Sequence, residues 1–157
     1  MDYIGIDLSL TATGVIMLNE KSEVILSKLI STKSTESIEL RIDKIGNEII
    51  KIIQESSTNS ITYIENLSFG SKGDAYAQLC GLHYYVRILM NNKNLIYKVI
   101  SPTTLKKFIT GKGNIKKNLM LLQIYKKFGI EFDNDNLADS FGLAMMAYEE
   151  NKWQKKL

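Results

Sequence analysis

The sequence is poor in residues on which many enzymes and secreted proteins depend. Its 157 residues include one cysteine, one histidine and one proline. The single cysteine, Cys80, excludes an internal disulfide framework and a cysteine-rich zinc site. The single histidine, His83, excludes catalytic or metal sites that need several imidazoles. Hydrolytic chemistry would therefore depend on carboxylates, lysines or hydroxyl groups, and the low cysteine content is typical of a reducing cytoplasm.

Long apolar runs and targeting segments are also missing. Apolar residues make up 45% of the chain, which is enough for a substantial core, but no run is long enough to span a bilayer. The N-terminus lacks the basic and apolar regions of a secretory signal. Because the length is typical of one domain, we expect a single cytoplasmic domain over residues 1–157 with no membrane partner.

Acidic residues are absent from one continuous third of the chain. Residues 75–130 carry ten lysine and arginine residues and no aspartate or glutamate, whereas the remaining 101 residues carry ten basic and seventeen acidic groups. Lysines that only keep a helical surface in solution are one explanation. A basic segment of this length without acids favours a polyanionic partner, most simply a nucleic-acid backbone.

Hydrophobic periodicity predicts alternating strands and helices in the order βββαβαβαα. Three strands with short connections form an antiparallel meander, and a crossover helix places the fourth strand parallel to the first. This order predicts an α/β fold with a mixed sheet and helices on both faces. The predicted strands are Tyr3–Asp7, Thr13–Leu18, Glu23–Leu29, Ile61–Asn66 and Leu95–Ile100. The predicted helices cover residues 38–54, 75–90, 115–128 and 136–152, and the third of them carries Ile115, Leu119, Leu122 and Tyr125 at helical spacing.

Acidic residues lie where apolar strands end and where the last helix begins. Asp7 ends the first strand, and Glu65 lies near the end of the fourth. Asp135 and Asp139 are four residues apart, and Asn136 is three residues from Asp139, so their side chains share one helical face. Because parallel neighbours end at the same edge of a sheet, Asp7 and Glu65 should emerge together, and a last helix docked there would gather three or four carboxylates.

Carboxylates that meet in one place need protons or cations to relieve their repulsion. Hard divalent ions that take oxygen ligands, Mg²⁺ or Mn²⁺, fit such a cluster, and two of them can act together in phosphodiester cleavage. Each acid also has a plain alternative. Asp7 alone can begin a turn, Glu65 can pair with a lysine, and aspartates are common at helix starts. The joint pattern favours the metal site.

Four segments together resemble the RuvC group of Holliday-junction resolvases, within the ribonuclease-H-like superfamily. They are YIGIDLSLTATGVIML (3–18), YIENLSFG (63–70), ITGKGNIKKNLM (109–120) and DNLADSFGLAMMAY (135–148). The resemblance implies a ribonuclease-H-like mixed five-stranded sheet, antiparallel over strands 1–3 and parallel over strands 1, 4 and 5. It also implies a crossover junction endodeoxyribonuclease that nicks symmetric strands of Holliday junctions and of other branched DNA. The lysine-, isoleucine- and asparagine-rich composition suits a phage or low-GC bacterial source.

The resemblance also implies a metal site. Members of the family use two Mg²⁺ ions, for which Mn²⁺ can substitute, held by four ligands. Carried over, three of these are Asp7, Glu65 and Asp139. The family places the fourth ligand at the position of Asn136, whereas Asp135 is the alternative, because related viral enzymes carry paired acids there.

Basic and aromatic residues complete the implied site. Lys117 is implied to act with the four acids in catalysis, and Phe69 to stack on an unpaired base at the crossover. Solvated lysines on a loop are the plain alternative. The implied DNA-binding residues are Phe69, Lys72, Lys106, Lys107, Lys112, Lys116 and Lys117.

Family members act as two-fold dimers, which implies a homodimer on four-way or branched DNA. The helix around residues 75–90 is the expected interface because it has two apolar edges; a helix buried on both sides within one subunit is the alternative. These edges are Leu79, Leu82, Val86 and Met90, and Tyr76, Cys80 and Tyr84.

Two other functions remain open from the sequence. A junction-binding protein without cleavage is conceivable because Asn136 replaces an acid. An ATP-binding fragment is the other alternative, because GIDLSLTATG also resembles the first phosphate loop of sugar kinases and actin-like ATPases. That class needs a second domain and a second nucleotide loop, which this chain is too short to supply.

Overall fold

The strands form one mixed sheet in the order β3-β2-β1-β4-β5. They are β1 (Asp2–Asp7), β2 (Ala12–Leu18), β3 (Val24–Ser31), β4 (Ser60–Glu65) and β5 (Tyr97–Ile100). The first three strands are antiparallel, and β1, β4 and β5 run parallel. This is the predicted arrangement. The structure is a computed structural model that describes residues 1–56, 59–67, 73–114 and 117–154, without the side chains of Lys117, Asn118 and Gln154.

Helices cover both faces of the sheet, as predicted. They are α1 (Ile38–Glu55), α2 (Asp74–Asn92), α3 (Pro102–Thr110), α4 (Lys117–Phe128) and α5 (Asp135–Gln154). Helices α1 and α2 share one apolar core with the sheet, and α3, α4 and α5 share the other. Within the described ranges, no helix has the length and hydropathy needed to cross a bilayer.

Helix α3 is missing from the sequence prediction, which treats Ser101 and Pro102 only as the end of the fifth strand. The Ser101 side chain caps the helix by accepting a 3.1 Å hydrogen bond from the backbone N–H of Thr104. Pro102 occupies the first helical position, where a backbone N–H would have no partner within the helix, so the lack of one costs no hydrogen bond. Gly111 ends the helix in the left-handed conformation, at φ 76°. The Ser-Pro pair therefore ends a strand and begins a helix.

Helix α4 buries a different face from the one its predicted apolar residues indicate. Leu119, Leu122 and Tyr125 are 42%, 43% and 54% exposed, whereas Met120 and Ile124 are buried in the core beside α5. Apolar residues occur around most of this helix, so spacing alone does not identify its inner face. The prediction of a helix is right, and the face suggested by those residues is wrong.

Two glycines allow α5 to lie directly against the sheet. A Cβ atom added at Gly5 of β1 would lie 1.9 Å from the carbonyl oxygen of Ser140. One added at Gly14 of β2 would lie 2.3 Å from the carbonyl oxygen of Asn136. Any side chain at either position would push the helix away, so glycine is required for this close approach. The contact fixes the first turns of α5 over the ends of β1 and β2.

Candidate active site

The parallel pairing of β1 and β4 brings two acidic side chains to one edge of the sheet. Ile6 is in register with Ile64, so the next residues along the strands are Asp7 and Glu65. Side chains alternate between faces along a strand. Ile6 and Ile64 face the core shared with α1 and α2. Asp7 and Glu65 therefore lie on the opposite face, which α5 covers.

Helix α5 supplies the third acid. The side-chain oxygen of Asn134 accepts hydrogen bonds from the backbone N–H groups of Asn136 and Leu137, at 2.9 and 3.3 Å, and so caps the helix start. Asp139 follows one turn later, above the sheet edge. One carboxylate oxygen from each of Asp7, Glu65 and Asp139 lies within 4.8 Å of the others. Three elements distant in sequence thus converge on one group of oxygen atoms.

This convergence changes the acidity of Glu65. Burial first, and then the charges of Asp7 and Asp139 and a hydrogen bond with Asp7, together raise the pKa of Glu65 to about 9. The ammonium group of Lys106 opposes them and lowers the pKa. Near neutral pH the metal-free protein therefore holds a proton on Glu65. A cation bound among these acids would take the place of that proton.

Ser140 connects the end of β1 to α5. Its hydroxyl accepts a 3.1 Å hydrogen bond from the backbone N–H of Asp7 and donates a 2.6 Å bond to the carbonyl oxygen of Asn136. The side chain is completely buried. The sequence analysis missed this residue, although a serine in an apolar helical stripe, directly after Asp139, is the kind of signal that can mark such a contact.

Asp135 and Asn136 line the same cavity as the three acids, and Asp135 lies outside their close group. The side-chain amide of Asn136 donates a hydrogen bond to the carbonyl oxygen of Ala12. The structure thus places both candidates for the fourth ligand near the cluster, and the role of each stays a prediction.

The cavity has a volume of about 380 Å³, and residues of β1, β4 and helices α2 to α5, with the segments beside them, form its walls. His83 of α2 lines it while being only 3% exposed. Burial, assisted by the charge of Arg87, lowers the pKa of His83 to about 4, so its imidazole is neutral. The sequence analysis missed this position because His83 lies between buried residues of an apolar helical stripe. Further lining residues are Leu8, Ser9, Asn66, Leu67, Leu79, Pro102, Met120 and Leu121.

The predicted DNA-binding residues divide into three groups by their position in the structure. Lys106 is half-buried and lines the cavity, whereas Lys107 and Lys112 are exposed. Lys106 and Lys107 lie on α3. Phe69, Lys72 and Lys116 lie outside the described residues, as does the side chain of Lys117. These assignments stay predictions.

The family model described as "Crossover junction endodeoxyribonuclease RuvC" matches residues 3–146. A protein of that name from Ehrlichia canis (strain Jake) is 26% identical over 157 residues, covering 98% of this chain and 100% of the relative. Another from Prochlorococcus marinus (strain NATL2A) is 27% identical over 152 residues, covering 92% and 96%. The matches span nearly the whole length of both partners.

Solved structures show the same fold. The Thermus thermophilus RuvC structure superposes with a TM-score of 0.80 at 15% identity, covering 98% of this chain and 97% of that one. Fowlpox virus resolvase, solved with a substrate Holliday junction, gives a TM-score of 0.64 at 15% identity, covering 96% and 99%. These similarities confirm the predicted strand order and helix placement.

Proposed function

The chain belongs to the RuvC family of crossover junction endodeoxyribonucleases, and on that premise we propose that it resolves four-way DNA junctions by metal-dependent hydrolysis. The observation that carries this proposal is the meeting of Asp7, Glu65 and Asp139 within 4.8 Å in a cavity that also holds Lys106. Hydrolysis adds water across the bond between phosphorus and the 3′ oxygen. It leaves a 5′-phosphate and a 3′-hydroxyl.

The donor set fits hard divalent cations. All three close ligands offer carboxylate oxygen, which Mg²⁺ and Mn²⁺ prefer over softer alternatives. Asp7, Glu65 and Asp139 would hold two ions, and a fourth oxygen would come from Asp135 or Asn136. When bound, such ions supply Lewis acidity for displacement at phosphorus.

The residues of this chain have separate tasks in that reaction. The three acids, fixed by β1, β4 and α5, supply a rigid negative site. Lys106 adds a positive charge at the same cavity, where a phosphate oxygen of the scissile strand would find it. Lys107 and Lys112, exposed on α3 and just after it, would contact the DNA backbone beyond the cavity. Lys72, Lys116, Lys117 and Phe69 remain proposed DNA-binding residues on the family resemblance alone.

We also propose that the active form is a homodimer. Tyr84 and Ile88 lie one turn apart on α2 and are 60% and 54% exposed, so they form an apolar edge that a second copy of the chain would cover. Two copies related by a two-fold axis through this edge would present two acid clusters to two strands of a four-way junction.

The proposal is tested by cleavage of a synthetic four-way junction with Mg²⁺ and with Mn²⁺. Asp7→Asn should abolish nicking and leave junction binding in place, because the amide keeps the shape but loses the charge that attracts the cations. Asp43→Asn is the matched control, since Asp43 lies on α1, on the opposite face of the sheet, and accepts hydrogen bonds from Asn47 and Tyr85. It should cleave like the unaltered protein.

Two results would contradict the proposal in different ways. Nicking that survives in Asp7→Asn would show that the acid cluster is not the active site. Tight junction binding by the unaltered protein without nicking in either metal would favour the non-cleaving alternative, for which the amide at Asn136 is the specific reason.

A further inference from the structure

In the turn that follows Asp7, three consecutive backbone carbonyl groups accept hydrogen bonds from residues elsewhere in the fold. We call residues 8–12 the Asp7 turn. Arg41 of α1 donates from Nη2 to the carbonyl oxygen of Leu10 at 3.0 Å and from Nε to the hydroxyl of Thr32 at 2.9 Å. The Thr32 hydroxyl donates to the same Leu10 oxygen, and the Thr32 backbone N–H donates to that of Thr11 at 3.2 Å. One side of the turn is thus held from α1 and from Thr32, the residue that follows β3.

The other side of the turn is held from α5. Nδ2 of Asn136 donates to the carbonyl oxygen of Ala12, the next carbonyl along the chain. The backbone of Asn136 is itself fixed, because its carbonyl accepts from Ser140 and lies against Gly14. Asn136 therefore connects an immobile point of the helix to the far end of the Asp7 turn.

We propose that Asn136 is a positioning residue for the Asp7 turn rather than the fourth metal ligand. A carboxylate at this position could not donate to the Ala12 oxygen and would repel it, whereas an amide satisfies it. The replacement of an acid by asparagine thus gains a contact that only the amide can make. This inference rests on the proposed function, and it leaves Asp135, which lines the same cavity one residue earlier, as the remaining candidate for the fourth oxygen.

The inference is tested first without metal or DNA, by hydrogen exchange of the backbone amides in residues 9–14. Asn136→Ala should speed their exchange about three- to tenfold, the change expected for losing one hydrogen bond from a locally opening segment. Arg41→Met should do the same from the other side of the turn. Asn47→Ala is the matched control, because the Asn47 amide donates to Asp43 on the surface of α1 and does not contact the turn.

The second measurement is Mn²⁺ affinity by calorimetry. A positioning role predicts that Asn136→Ala weakens Mn²⁺ binding by no more than Arg41→Met does, since both act only through the turn. If Asn136 is a ligand, its alanine variant should bind Mn²⁺ distinctly more weakly than Arg41→Met, because it also loses an oxygen that coordinates the ion. Asn136→Asp is a second variant, for use if Asn136→Ala does not fold. It keeps a side-chain oxygen but loses the N–H donor, so it should also loosen the turn.

Unchanged exchange of residues 9–14 in both Asn136 variants would overturn the inference, as would a selective loss of Mn²⁺ affinity in Asn136→Ala. Faster exchange with matched Mn²⁺ affinities would support it. If the unaltered protein binds no Mn²⁺, the proposed function fails in its metal requirement, and the exchange experiment still decides whether Asn136 holds the turn.

Discussion

Replacing Glu65 by glutamine should stabilise the metal-free protein in a pH-dependent way. Burial, together with Asp7 and Asp139, raises the pKa of Glu65 to about 9 in the folded chain, whereas a glutamate in an unfolded chain titrates near its ordinary value of 4.5. Between these values the folded protein retains a proton that the unfolded chain has lost. Folding stability therefore falls as the pH rises from about 4.5 towards 9.

The size of the effect follows from that interval. Each pH unit removes at most about 1.4 kcal/mol, so the loss between pH 4.5 and 8 is at most about 5 kcal/mol. The Glu65 side chain is only partly buried, and we therefore expect about half of this limit. Glutamine has the same shape without the charge. In EDTA at pH 8, Glu65→Gln should melt roughly 5–10 °C above the unaltered protein, and at pH 5 within about 2 °C of it.

The assay is thermal unfolding at pH 5 and pH 8, with EDTA and with Mg²⁺. Mg²⁺ should stabilise the unaltered protein at pH 8 and Glu65→Gln much less, because the variant lacks one ligand charge. Glu48→Gln is the control, since Glu48 is paired with Lys28 and its pKa is lowered by that contact. It should be slightly less stable at both pH values. A Glu65→Gln variant that is no more stable than the unaltered protein at pH 8 would refute the reasoning.

Gly14→Ala places a methyl group 2.3 Å from the Asn136 carbonyl oxygen. It should lower the free energy of unfolding by about 1–3 kcal/mol and remove most of the cleavage activity. Gly81→Ala is the control and should be neutral, because its added methyl group would meet only Ile42, at 3.4 Å. Cleavage that survives Gly14→Ala would show that the seat of α5 is not critical. Lys106→Gln should lower the cleavage rate at saturating junction by about tenfold or more, while Lys107→Gln should weaken only salt-dependent DNA binding; equal effects on both measurements would argue against a special place for Lys106. Replacing Tyr84 and Ile88 together by aspartate should give a monomer in analytical ultracentrifugation, whereas Leu40→Asp, an equally exposed change on α1, should not; an unchanged mass would remove α2 as the interface.

The arrangement of the sheet could be predicted because its signals are local. Apolar runs that end in Asp7 and Glu65 mark two strands, and a helical pattern between strands requires a crossover and hence parallel pairing. Parallel pairing then fixes a shared edge. The meeting of Asp7 and Glu65 follows from this topology, whereas the position of Asp139 depends also on where α5 docks on the sheet.

The remaining features depend on contacts between distant residues, which no local pattern encodes. Ser140 is an ordinary helical serine until β1 places the Asp7 N–H against it. His83 belongs by spacing to an apolar stripe, and only the position of α2 beside the cavity gives its imidazole a place in the wall. Helix α3 is a different case, because its Ser-Pro start is a local signal. In the sequence analysis that pair is interpreted only as the end of the preceding strand, although it is also typical of a helix start.

The rigidity of the backbone explains how three mutually repelling carboxylates can share so small a space. Repulsion would separate them if each were carried by a mobile loop, but Asp7 and Glu65 end neighbouring strands and Asp139 lies on a helix seated on two glycines. Moving Asp139 away would require breaking the contacts of Ser140 and Gly14 at the same time. The folded state therefore bears an electrostatic cost, which a proton relieves in part and divalent cations relieve more fully. Because the same few residues hold the acids together, the affinity for cations and the free energy of unfolding are coupled.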